Sequence, residues 1–168
     1  MKPPNPPGYF ILDANVLIDY CKTDRSILTL VAKHLGDVYV PQPVLDEVKD
    51  VDAMNLPAMG IKIVLPETEA LIEAASHRGP LSFEDRICLI LAGNYGWTCV
   101  TNDGRLRKEC QAQGIGVIWG LEPMALLVEQ GQLSADAALE VALAIQKANP
   151  RFITAGIVGR FRTRIGLP

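Results

Sequence analysis

The stretch Tyr9-Phe10-Ile11-Leu12-Asp13-Ala14-Asn15-Val16-Leu17-Ile18 runs apolar, breaks at an aspartate and an asparagine, and turns apolar again. The run before Asp13 reads as a buried strand, and the run after Asn15 as the first turn of a helix. In an open α/β sheet the loop just past a strand's carboxyl end is where ligands bind. A carboxylate on the floor of such a cleft is costly unless something positive meets it. Taken alone, Asp13 or Asn15 reads first as the cap of the following helix. Acids at other strand ends would favour a ligand.

Working outward, the same alternation recurs. Val38-Tyr39-Val40 reads as a short strand closed by Pro41, and Pro43 opens a helix with Val44, Leu45 and Val48 on its apolar face and Glu47 at one edge. Residues 50–60 read as a loop around any short helix, because of Pro57 and Gly60. Ile61 to Leu65 alternates as a strand, and a helix over about 67–77 ends at Gly79-Pro80. Ser82 caps the next helix, with Asp85 at its third position as an acidic variant of the capping box. Trp97 to Thr101 is a further strand, and again an acid, Asp103, lies just past its end. A helix over about 104–112, a strand over 114–119, helices over about 121–130 and 134–148, and a basic tail near Gly156 to Arg164 complete the chain. Strands alternating with helices predict a three-layer α/β/α sandwich around a mostly parallel sheet of about five strands.

At 168 residues, 49% of them hydrophobic, the chain suits one domain with a substantial core. It divides into a proline-rich lead-in over 1–8, a core over 9–119 and a C-terminal extension over 120–168. Lys and Arg number 16 against 19 Asp and Glu, a net charge of −3, so no overall basic field points to a plain DNA-binding module. Cys21, Cys88, Cys99 and Cys110 form no Cys-x-x-Cys pair, and with only His34 and His77 to help they argue against structural zinc. The N-terminus lacks the apolar core of a signal peptide, and no apolar run approaches the ~18 residues that cross a bilayer. A soluble, reducing, cytoplasmic setting without membrane contact is expected.

Asp13, Glu47, Asp85 and Asp103 each have a reason to reach the rim formed by the strands' carboxyl ends. Carboxylate oxygens suit hard cations such as Mg²⁺ and Mn²⁺. A carboxylate cluster around one or two such ions fits phosphodiester hydrolysis. Each acid also has a plainer reading: Asp85 as the partner of Ser82, Glu47 as a solvated acid beside Asp46 and Asp50, and Asp103-Gly104 as a turn. Spacing alone leaves both readings open.

Phe10-Ile11-Leu12-Asp13-Ala14-Asn15-Val16-Leu17-Ile18 resembles the opening motif of the PIN domain family of metal-dependent nucleases. Val40-Pro41 through Val44-Leu45-Asp46-Glu47-Val48 resembles the second motif, and Leu81-Ser82-Phe83-Glu84-Asp85-Arg86 with Leu89-Ile90-Leu91-Ala92 the third. Cys99-Val100-Thr101-Asn102-Asp103-Gly104-Arg105-Leu106-Arg107 resembles the fourth, a strand ending in Thr-x-Asp. The motifs stand in the family's order over residues 9–119. The resemblance implies a PIN-like fold, with Asp13, Glu47, Asp85 and Asp103 binding Mg²⁺ or Mn²⁺. Asn15 and Thr101, and more weakly Ser82, would orient those acids. Glu84 stands beside Asp85 as a rival, but helix spacing favours Asp85, four residues before Leu89 on the buried side. The implied activity is endoribonuclease cleavage of single-stranded RNA, with many bacterial members being toxins of the VapC type paired with an antitoxin. The rival readings are a nuclease of RNA processing or structured DNA without an antitoxin, and a catalytically silent scaffold.

Arg105, Arg107 and Lys108 follow Asp103 closely enough to guide phosphates, and Arg151, Arg160, Arg162 and Arg164 give the C-terminus a positive bias. Ion pairing with the body's acids is the equal alternative. Trp97 and Trp119 are expected to pack in the core, although Trp119 at the rim could stack a base. The Ala-rich amphipathic helix over residues 133–145 packs on its own domain or offers a surface to a second copy or an antitoxin.

Overall fold

The computed structural model describes residues 8–48 and 55–168; residues 1–7 of the lead-in and the start of the loop expected over 50–60 lie outside the described residues. Strand β1 is Gly8–Leu12, followed by α1 Ala14–Thr23, α2 Ser26–His34, β2 Gly36–Pro41 and α3 Gln42–Glu47. A single 3₁₀ turn, Pro57–Met59, leads into β3 Ile61–Val64, then α4 Thr68–Ser76 and α5 Phe83–Tyr95. The chain continues through β4 Thr98–Val100, α6 Gly104–Ala112, β5 Val117–Ile118, α7 Glu122–Glu129, α8 Ala135–Ala148 and α9 Ala155–Arg164.

The strands form one sheet in the order β3-β2-β1-β4-β5, and every pairing is parallel. This is the expected α/β sandwich. β1 lies in the middle, paired on one side through Phe10↔Val38 and on the other through Phe10↔Thr98. A strand covered on both faces needs apolar residues at successive positions, and Phe10, Ile11 and Leu12 are all buried. Right-handed crossovers put α1 and α2 on one face and α4, α5 and α6 on the other. Helix α5 packs on β1 and β4, while α7 meets α2 and α8 meets α1. Helix α3 sits between α1 and α5. Buried side chains from Phe10 to Ile165 join in one continuous hydrophobic cluster.

Two expectations change. The stretch expected as a basic tail folds as α9, because Thr154 caps it by accepting the Ile157 N–H, and Val158 and Phe161 bury one face among the arginines. Neither tryptophan is fully buried: Trp97 packs against the core from its edge, stacked between Tyr39 at 3.9 Å and Tyr95 at 4.8 Å, and Trp119 is 37% exposed. The four cysteines form no disulfide, and all but Cys21 are buried.

The junction of β1 and β2 depends on Gly36, whose φ is +146° and whose added Cβ would lie 1.9 Å from the Gly8 carbonyl oxygen. Gly96, at φ +69°, ends α5 in open space. Gly96→Ala therefore meets only the left-handed backbone penalty, roughly 1–2 kcal/mol. Gly36→Ala adds a collision with backbone in the sheet and is expected to lower the urea midpoint further than Gly96→Ala does.

Candidate functional site

Asp13 directly follows β1 and is 2% exposed. It caps α1: Oδ1 accepts the Val16 N–H at 2.9 Å, while Oδ2 accepts a hydrogen bond from the Thr101 hydroxyl. Capping thus uses one oxygen of a carboxylate that is also buried at the rim, so the two readings of this residue are compatible. Thr101 is fully buried past the end of β4, and its Oγ1 accepts the Asp103 N–H at 3.0 Å. One hydroxyl ties the end of β1 to the end of β4.

Asp103 caps α6, its Oδ1 accepting the N–H groups of Arg105 at 2.8 Å and Leu106 at 3.1 Å. Asp85 is the third residue of α5 and half-buried; its N–H donates to the Ser82 Oγ at 3.1 Å, the cap expected. Arg86 donates to the carbonyls of Ala74 at 3.2 Å and Gly79 at 3.1 Å, and also to that of His77. It pins the loop after α4 and so fixes where α5 begins.

These acids feel one another. Burial pushes the Asp13 carboxyl up from 3.8 to about 7; the Thr101 and Val16 hydrogen bonds oppose this, and the charges of Asp85 and Asp103 add to it. Asp85 is pushed up to about 6 by burial and then by Asp103, with Ser82 opposing and Glu47 and Glu84 adding. Glu47 is exposed at the end of α3, its pKa raised by partial burial and by Glu84. Asp13, Asp85 and Asp103 thus lie within electrostatic reach of one another, and Glu47, on α3, within reach of Asp85 and Glu84. Among the described residues, no three His, Cys, Asp or Glu side chains close into a metal-ligating group.

Asn15 makes no hydrogen bond to these acids among the described residues. It lines a separate cavity of about 220 Å³ with Ile18, Asp19, Lys22, Ala148 and Asn149. Arg105 and Lys108 line another cavity beside Asp103, of about 420 Å³, with Gly104, Arg151 and Phe152. Arg107 does not join them: its guanidinium carbon lies 3.6 Å from the Trp119 ring centroid. Arg164 is paired with Glu122 and Glu129, and Arg162 donates to the Pro168 carbonyl.

Two polar ties were not anticipated from the sequence. Asp19 is 8% exposed and pushed up to about 6 by burial, with the Asn149 Nδ2 donating to it at 3.1 and 3.4 Å. A hint was present, since Asp19 interrupts the apolar run of Val16, Leu17 and Tyr20 on α1. Asn102, also buried, accepts the Gly120 N–H at 2.9 Å, while the Tyr20 hydroxyl donates to the Gly120 carbonyl. A Cβ at Gly120 would lie 2.5 Å from the Asn102 amide nitrogen, so this approach needs glycine.

No family model matches the chain. The curated proteins provide no match either. Among solved structures the chain is similar to a PilT N-terminus domain protein from the archaeon Sulfolobus solfataricus P2. The two are 10% identical with a TM-score of 0.47, over 70% of this chain and 91% of the other. The architecture described above stands on the sheet itself, independently of that likeness.

The raised acids fix the sign of a pH dependence. A carboxyl with a higher pKa in the folded state than in the unfolded one holds its proton better when folded, so stability falls as pH rises between the two values. In metal-free buffer, stability should fall from pH about 4 upward, with Asp19 and Asp85 contributing up to about 6 and Asp13 up to about 7. One pKa unit corresponds to about 1.4 kcal/mol, so Asp13 accounts for a few kcal/mol. Urea titrations at successive pH values should show Asp13→Asn losing the part of this decline between pH 6 and 7.

Proposed function

We propose that the protein is a metal-dependent endoribonuclease that hydrolyses phosphodiester bonds in single-stranded RNA. The observation that carries this reading is the position of the acids. The sheet order reverses beside β1, with β2 and β3 on one side and β4 and β5 on the other. Such a switch point is where open α/β sheets bind ligands. Asp13 and Asp103 follow the two strands that flank it, and the charge of Asp85 reaches both. The motif resemblance supplies the class of chemistry.

The chemistry of these side chains suits Mg²⁺ or Mn²⁺, although as they stand no three of the described side chains close round one ion. The acids offer hard carboxylate oxygens, and a cation would offset the burial, and the smaller mutual repulsion, that hold Asp13 and Asp85 above their ordinary range. Asp13, Asp85 and Asp103 would hold the ion, with Glu47 on α3 as the further acid that the resemblance implies. Bound there, a divalent cation supplies positive charge and Lewis acidity to the hydrolysis. The chain's own groups do the orienting. The Val16 N–H and the Thr101 hydroxyl fix the Asp13 carboxylate, and the Asp103 N–H in turn holds Thr101 in place. Arg105 and Lys108, just past Asp103, draw the phosphate backbone towards the rim.

With Mg²⁺ or Mn²⁺ the protein should cleave single-stranded RNA, and a chelator should stop it. Thr101→Val removes the hydroxyl that aims Asp13 and is expected to lower the rate about 10–100-fold. Asp13→Asn should lose more. Equal rates from the wild type and Asp13→Asn would overturn the reading. The finer assignment to a cytoplasmic toxin, with an antitoxin or a second copy as partner, rests on the motif resemblance. Induced expression of the chain alone in a bacterial host should then arrest growth, whereas Asp13→Asn should not; unchanged growth with active enzyme would favour RNA processing.

A further inference from the structure

The cavity beside Asp103 differs in chemistry from the rest of the rim. Its walls come from two separated parts of the chain. Asp103, Gly104, Arg105 and Lys108 belong to the start of α6, and Arg151 and Phe152 to the turn joining α8 to α9. The three cations Arg105, Lys108 and Arg151 are exposed, and none has a carboxylate partner among the described residues. The nearby basic groups that sequence alone would add to them are engaged elsewhere, Arg107 on Trp119 and Arg164 on Glu122 and Glu129. Phe152 is half-buried, and the Arg151 guanidinium lies 5.6 Å from its ring centroid. The cleft thus offers cations and one aromatic face within about 420 Å³. That volume lies within the range of small-molecule sites, roughly 300–1,000 Å³.

We infer that this cleft is a nucleotide subsite, in which Arg105, Lys108 and Arg151 hold backbone phosphate and Phe152 stacks an unpaired base next to the scissile bond. The inference deepens the ribonuclease reading and rests on it for the position of that bond. Arginine suits phosphate because its planar fork donates two parallel hydrogen bonds. A phenylalanine ring reads the face of a base, and every base has one, so stacking gives affinity without sequence choice. A base inside a duplex has both faces covered by its neighbours, so Phe152 selects for single strands. Selection for single strands is then a property of the C-terminal extension, separate from the acidic rim.

The test is binding of a fluorescein-labelled single-stranded RNA oligonucleotide by fluorescence anisotropy, in chelator so that no cleavage intervenes. Circular dichroism of each variant checks its fold. Arg151→Ala should weaken binding and flatten the plot of log affinity against log salt by about 0.7, the loss of one phosphate contact on a single strand. Phe152→Ala should weaken binding about tenfold with the salt slope unchanged, and Phe152→Trp should restore it. A duplex of the same sequence should bind more weakly and be indifferent to Phe152→Ala. Arg107→Ala should leave the salt slope as it is. Wild-type affinity in both Arg151→Ala and Phe152→Ala, or an equal loss of duplex binding in Phe152→Ala, would overturn the subsite, as would a wild type that binds no single strand. These results are distinct from failure of the catalytic reading. Binding changes without any metal-dependent cleavage would uphold the subsite and sink the enzyme; cleavage lost in Asp13→Asn with binding untouched in the two cleft variants would do the reverse.

Discussion

Everything at the rim depends on keeping one carboxylate almost wholly out of water at the end of the central strand. Asp13 is 2% exposed, and burial alone would drive its proton back on. Two hydrogen bonds oppose that, one from the first turn of α1 and one from Thr101. The partial positive charge of the α1 N-terminus acts in the same sense. The balance leaves the Asp13 carboxyl titrating near neutrality, at about 7. The tie through Thr101 does more than hold Asp13. Because its oxygen also takes the Asp103 N–H, the ends of β1 and β4 are set relative to each other by a single side chain.

Parallel topology explains why the acids meet at all. With every strand pairing parallel, all carboxyl ends face one edge, and each following helix begins there. Asp13 and Asp103 are N-caps, and Asp85 lies in the first turn of α5. A residue type favoured for capping thus becomes, at the switch point, a candidate ligand. The two properties share a cause, since the amide dipoles that favour a capping carboxylate also favour an anionic substrate arriving at the same edge.

The local parts of this arrangement were readable from sequence. Apolar runs ending in Asp13 and Thr101-x-Asp103, and the Ser82 cap with Asp85 three residues on, are patterns within a few residues, and strand–helix alternation gave the layers. What escaped reading depends on contacts between distant segments. Asp19 finds Asn149 across 130 positions, and Tyr20 reaches Gly120 across 100. No period or cap announces either pair. Helix α9 was hidden differently: its buried Val158 and Phe161 are outnumbered by charged neighbours, so composition suggested a tail where spacing supports a helix. The tryptophans follow the same logic, since Trp97 at the core's edge and Trp119 find partners in Tyr39, Tyr95 and Arg107 that no local pattern announces.

Net charge is a poor guide to the partner of such a protein because the fold sorts charges by location. Asp13, Asp85 and Asp103 lie at the starts of helices along the rim. Of the basic residues, Lys62 pairs with Asp37, Arg86 is held by backbone carbonyls, Arg107 lies on Trp119, and Arg164 is shared by two glutamates. These serve the scaffold and contribute little field beyond it. Arg105, Lys108 and Arg151, in contrast, face one opening beside Asp103. A chain of net charge −3 can therefore present a local positive surface where a phosphodiester would need it. The acids it adjoins and these cations are separable sets, one built into helix starts and the other brought together only when the turn after α8 folds back against α6.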